Sequence, residues 1–165
     1  MKPGPRKRKT RFSLTDTDGS LRTLVRETDR TTLALWAVDC AGRVLHFFEE
    51  EFPEDPRPRV ALTVCREWIT SGEFSMAAIR TASLAAHAAA REVGRDNAAR
   101  SAARAAGQAV AAAHVPSHAI VAAQYALQAV WRAAGPEAAE AAVAKEREWQ
   151  ERQLLILEER SDPEG

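Results

Sequence analysis

The sequence predicts an all-α protein, an antiparallel bundle of five or six helices around an alanine-rich core. Three observations carry this. Apolar residues recur at three- and four-residue intervals in one segment after another, the periodicity of a helix with one buried face. No period-two run of β-branched and aromatic residues lies between hairpin dipeptides. Hydrophobic residues make up 45% of the chain but aromatic residues only 6%, so small and aliphatic side chains must fill the interior.

The length of 165 residues suits one domain. Residues 1–11 carry Lys2, Arg6, Lys7, Arg8, Lys9 and Arg11 with no acidic residue, and Pro3, Gly4 and Pro5 disfavour regular structure. This segment reads as a disordered basic tail before a helical domain over 12–160, with 161–165 as a second tail. Removing those six basic residues from 23 leaves 17 against 23 acidic residues, so the body carries a net charge of −6. Between Phe12 and Thr28, TDTDG is turn-like and LRTLVRE is long enough for a helix of about two turns.

Asp29 is placed to cap the next helix, in which Leu33, Trp36, Ala37, Cys40, Val44, Phe47 and Phe48 mark one face up to Pro53. In EDPRPRVALTVCREWITSG, Asp55 is the cap, Pro56 falls in the first turn where a missing N–H does no harm, and Gly72 is the stop. Val60, Val64 and Trp68 align on this helix. A further helix starts at Ser75, with Met76, Ile79, Ser83, His87 and Ala90 as its expected inner stripe before Gly94. Asp96 is the expected cap of the next, whose residues 98–113 include ten alanines in sixteen positions. Alanine is the best helix former and lets backbones approach, so this helix belongs at the centre, and Gly107 permits a still closer crossing. Its other face carries Arg100 and Arg104, expected to be solvated. Pro116 then breaks the helix. Ser117 caps a segment with Ile120, Gln124, Leu127 and Trp131, and Gly135-Pro136 separates it from a last helix over 137–160.

Chemistry-bearing motifs are sparse. No Gly-rich phosphate loop and no nucleophile elbow is present, so no catalytic residue and no cofactor is expected. Cys40 and Cys65 lie on apolar faces, where cysteine acts as a small hydrophobe. The pair His114 and His118 has the spacing of a helical metal clamp, but Pro116 interrupts it and no acid or cysteine completes a ligand set. No metal residue is therefore expected, and both histidines are read as architectural. If His87, Gln108, His114, His118 and Tyr125 converge, they form either a satisfied polar network or a ligand pocket, the latter implying a small-molecule-binding or enzymatic bundle. The acidic group Glu49, Glu50, Glu51, Glu54 and Asp55 near a helix C-terminus, where negative charge is mildly unfavourable, is the candidate surface for a basic partner. Nucleic acid is expected as a partner only through the tail Lys2–Arg11. No apolar run reaches the roughly 18 residues of a membrane span, no secretory signal opens the chain, and the cysteines lack disulfide-framework spacing. A reducing, bacterial-type cytoplasm is the expected setting.

The blocks LALWAVDCAGRVLHFFEEEFPEDPRPRVAL, LAAHAAARE, RAAGQAVAAAHVPSHAIVAAQYA and EREWQERQL together resemble the immunity proteins of bacterial toxin systems, specifically the all-helical type-five-like immunity domain. The resemblance runs from about Phe12 to Leu157. Its most specific parts are WAVDCAGRVL, EDPRPR and HVPSHA, and matching positions include Trp36, Asp39, Cys40, Arg43, Pro53, Asp55, Pro58, Arg59, His87, Gly107, His114, His118 and Tyr125. The resemblance implies a non-catalytic protein that binds a cognate toxin and blocks it sterically. It carries over no catalytic or metal-binding residue, and it does not extend to the basic tail.

Overall fold

A computed structural model describes Phe12 and residues 19–162, so the basic tail and the end of the second tail lie outside the described residues. Seven helices and no strand occur among them: α1 (Gly19–Glu27), α2 (Arg30–Val44), α3 (His46–Glu51), α4 (Arg57–Ser71), α5 (Met76–Glu92), α6 (Ala98–Ala111) and α7 (His118–Ser161). The all-α bundle read from the sequence is the observed architecture.

Local chemistry explains most of the boundaries. Asp29 caps α2 by accepting from the Thr32 N–H at 3.0 Å, and Ser75 caps α5 by accepting from the Ala78 N–H at 3.2 Å. The α4 helix ends at Gly72, whose φ of 72° is the left-handed conformation that glycine adopts without a Cβ clash. Asp55 accepts from the Arg57 N–H at 3.1 Å and so satisfies a free donor at the start of α4. Four expectations change. Pro56, not Asp55, stands at the N-cap position of α4, one residue ahead of the first turn in which it was expected. Asn97, not Asp96, caps α6, accepting from the Arg100 N–H at 3.0 Å, because Asp96 turns outward to Arg100. Ser117 makes no cap bond. The single helix expected up to Pro53 breaks at Leu45 into α2 and α3.

α6 is the hub, packing against α2, α3, α4, α5 and α7. A helix of small side chains can take five neighbours at close range, and six of the eight alanines of α6 are buried. The stripe on α5 differs from expectation for the same reason. Ala82, Ala86, Ala89 and Ala90 face inward with Ile79, whereas Met76 is exposed and Ser83 and His87 are half-buried. On α4, Ala61, Leu62, Cys65 and Trp68 are buried and Val60 is exposed. α7 consists of two helical stretches separated at Gly135, whose φ of 75° and ψ of 165° are non-helical, so the chain breaks at Gly135-Pro136 where the sequence places the break.

Ties from α2 to the second half of α7 close the bundle. The Trp36 indole N–H donates to the Gln150 carbonyl at 2.8 Å. Arg43 donates to both oxygens of Glu146, at 2.6 and 2.9 Å, and lies 4.0 Å over the Trp149 ring. Asp39 and Arg43, four residues apart on α2, therefore do not pair with each other. Asp39 instead accepts from Gln153 at 2.9 Å and stands 3.9 Å from Arg66. Replacing Arg43 by Ala leaves the Glu146 carboxylate, 10% exposed, without its partner. A fully buried pair broken this way costs about 3–5 kcal/mol, but Arg43 itself is 42% exposed, so roughly 2 kcal/mol is expected for Arg43→Ala in urea unfolding. Arg43→Ala/Glu146→Leu should regain most of it, since no charge is then stranded. A double variant no more stable than the single would refute this account.

Candidate functional site

The acidic edge begins where α3 ends. Phe52 caps α3 through its N–H to the Phe48 carbonyl at 2.8 Å, and its ring stacks on Phe48 at a centroid separation of 5.1 Å. Pro53 and Pro56 then hold the chain to the start of α4 with little backbone freedom. Between them lies an open cavity of about 520 Å³, lined by Phe52, Pro53 and Pro56 among Glu51, Glu54, Asp55 and Arg57.

Arginines from other elements hold three of the five candidate carboxylates. Glu49 accepts from Arg59 Nε at 2.6 Å, and Glu51 takes both Arg95 and the Asn97 side-chain amide, the latter at 3.1 Å. Asp55 accepts from Arg57 at 2.7 and 2.9 Å, and Arg57 also binds Glu92. The pairing with Arg59 holds the Glu49 carboxyl below its usual range, and that with Arg57 does the same for Asp55. Glu50 and Glu54 are exposed and carry no ion pair among the described residues. The result is an open apolar hollow rimmed by the held carboxylates of Glu51 and Asp55 and by the unpaired Glu54, with Glu49 and Glu50 on α3 outside its lining. The sequence signal for it was the proline-flanked PEDPRPR stretch, whereas Phe52 and the distant Arg95 had none.

The histidine group assembles in part. His118 Nδ1 donates to Gln108 Oε1 at 2.7 Å, joining the start of α7 to α6. The His87 ring lies against the backbone of Gly107, so close that a Cβ there would sit 2.7 Å from Nε2. Ser83 donates to the Gly107 carbonyl at 3.0 Å in the same crossing. Burial, then the charges of Arg104, Arg91 and His118, keep the His87 imidazole below its ordinary pKa. Burial and the neighbouring His114 do the same for His118. His114 itself is exposed and faces Phe74, with ring centroids 6.4 Å apart. Tyr125 is half-buried against the core and near enough to Arg132 to act on its charge.

Burial raises both thiols, Cys65 to about 12 and Cys40 well above the usual range, so each stays protonated at neutral pH and fills space. Among the described residues no group of three or more His, Cys, Asp or Glu side chains is placed to hold a metal ion. Nor is any described helix long and apolar enough to cross a membrane.

Residues 23–156 match the family model described as "Imm-5 like putative immunity protein". The chain belongs to this family. The match takes in α2 to α6 whole, with most of α1 and α7, and so includes the acidic edge and the histidine group. Comparison with curated proteins and with solved structures finds no match.

Proposed function

We propose that the protein binds a cognate toxin and neutralises it by steric blocking, with no catalytic step of its own. The observation that carries this is membership of an immunity-protein family over residues 23–156. Within that frame we assign the contact to the acidic edge. An interface gains most from an apolar anchor surrounded by groups that exclude water, and the Phe52, Pro53 and Pro56 hollow with its carboxylate rim has that form. Arg95 and Arg57 hold Glu51 and Asp55 of the rim in place before any partner arrives, so little conformational freedom is lost on binding. Glu50 and Glu54 then act on a basic toxin face, raising the association rate and rejecting acidic surfaces.

The test is rescue of growth on co-expression with the toxin encoded beside this gene, together with the affinity of the purified pair. Glu50→Lys/Glu54→Lys should weaken binding by roughly tenfold or more, mostly through slower association, because like charges now meet. His87→Ala, at a crossing inside the bundle, should affect rescue less. A charge-reversed protein that protects as well as the wild type would remove the acidic edge from the interface, and failure to bind any neighbouring gene product would count against the toxin reading itself.

A further inference from the structure

Arg100 and Arg104 stand one turn apart on α6 and so share a face. They were expected to be solvated, yet the Arg100 side chain is only 20% exposed. Arg132 reaches them from α7. Its Nη1 donates to Ser101 Oγ at 3.0 Å and to the Asn97 carbonyl at 3.4 Å, which fixes the guanidinium beside the first turn of α6. One carboxylate answers the three cations. Asp96 accepts from Arg100 at 2.7 Å and lies 3.9 Å from Arg132, and it is itself 72% exposed. Arg104 makes no hydrogen bond or ion pair among the described residues.

This leaves a surplus of two positive charges, half-buried, in a body whose net charge is negative. Arg132 is under strain accordingly. Burial depresses its pKa, Asp96 offsets part of that, and Arg100 and Arg104 push it down further. Arg100 Nε is buried without an acceptor, a donor that is costly to leave unmade. The first-turn N–H groups of α6 add positive potential on the same side. An anion among the three guanidiniums would relieve the mutual repulsion.

We propose that Arg100, Arg104 and Arg132 form a binding site for a phosphate-type oxyanion, either free phosphate or a phosphate ester. A dianion matches the surplus of two charges, whereas a monocarboxylate leaves one unanswered. Guanidinium groups present planar forks of donors suited to phosphate oxygens. The site meets the acidic edge at Asn97, whose carbonyl takes Arg132 and whose amide holds Glu51, but it requires no toxin.

Calorimetric titration of the full chain, in chloride buffer at matched ionic strength, tests the site with inorganic phosphate, a nucleoside monophosphate and acetate. Phosphate should bind saturably. Arg104→Gln, which breaks no bond of the fold, should weaken it tenfold or more while leaving the melting curve in chloride unchanged. A tighter nucleoside monophosphate identifies an ester as the ligand, and equal affinities identify the free ion. Phosphate heats no greater than those of acetate, or wild-type affinity in Arg104→Gln, would overturn the proposal.

Discussion

Trp36→Ala should cost the protein about 3–5 kcal/mol, a large part of the 5–15 kcal/mol that holds a typical domain together. The magnitude follows from the composition of the core. Trp36 is fully buried in α2, which packs on α6 and α7, and the buried residues of α6 and of α7 before Gly135 are mostly alanine. A cavity lined by leucine or methionine can shrink as long side chains swing inward. One lined by alanine cannot, since each Cβ is fixed to its backbone and whole helices would have to move. The cost therefore belongs at the upper end of the range. Truncation also leaves the Gln150 carbonyl without its indole donor, which adds to the loss. In thermal melting followed by circular dichroism, the midpoint should fall by roughly 6–20 °C for a chain of this size. Trp36→Phe keeps most of the volume and loses only the N–H, so it should fall far less. A Trp36→Ala midpoint within a degree or two of wild type would mean that the alanine layers do collapse, and that the rigidity argued for α6 is wrong.

The same contrast between local and distant causes decides what could be read from the sequence. Asp29, Ser75 and Gly72 act on backbone groups within three or four residues, and each stands where its local chemistry put it. Pro116 and the alanine run of α6 likewise foretold a break and a central helix. Pairings between helices were not legible. Asp39 and Arg43 have the right spacing for each other, yet each has a partner on α7, because Glu146 and Gln153 are brought alongside only by the fold. Met76 was placed in the core and is exposed because, in a helix so rich in alanine, several faces satisfy the same periodicity and the neighbour alone selects one. For the candidate site the limit is similar. The five acidic residues were visible as a cluster, but Arg59, Arg57 and Arg95, which divide them into held and free, come from α4 and the α5–α6 loop. Arg132 gave no signal beside Arg100 and Arg104, since nothing in the spacing of α7 relates it to α6.

Gly107→Val should destabilise the protein by about 3 kcal/mol, and the loss should be partly reversed by His87→Ala. At Gly107 even a single added carbon would sit 2.7 to 2.9 Å from three atoms of the His87 ring, well inside contact distance. Helix propensity alone would favour the substitution slightly, because glycine is the poorer helix former by a few tenths of a kcal/mol relative to valine. Overpacking of a closed crossing costs typically 1–3 kcal/mol, so sterics outweigh propensity. The α5 backbone has little room to retreat, as the Ser83 bond to the Gly107 carbonyl holds it to α6, so the half-buried ring itself must rotate out of its place in the crossing. His87→Ala alone removes the ring and leaves a gap, at a cost of about 1–2 kcal/mol. In the double variant the valine methyls occupy that gap, so the two losses should not add. A coupling of at least about 1 kcal/mol is expected from urea unfolding of the four proteins, the size found for residues in direct contact. Additive losses would show that the clash is relieved by backbone movement and that the imidazole does not set the α5–α6 spacing. Strong coupling would assign His87 the role of a spacer, whose size and the absence of a side chain at residue 107 are two halves of one packing constraint.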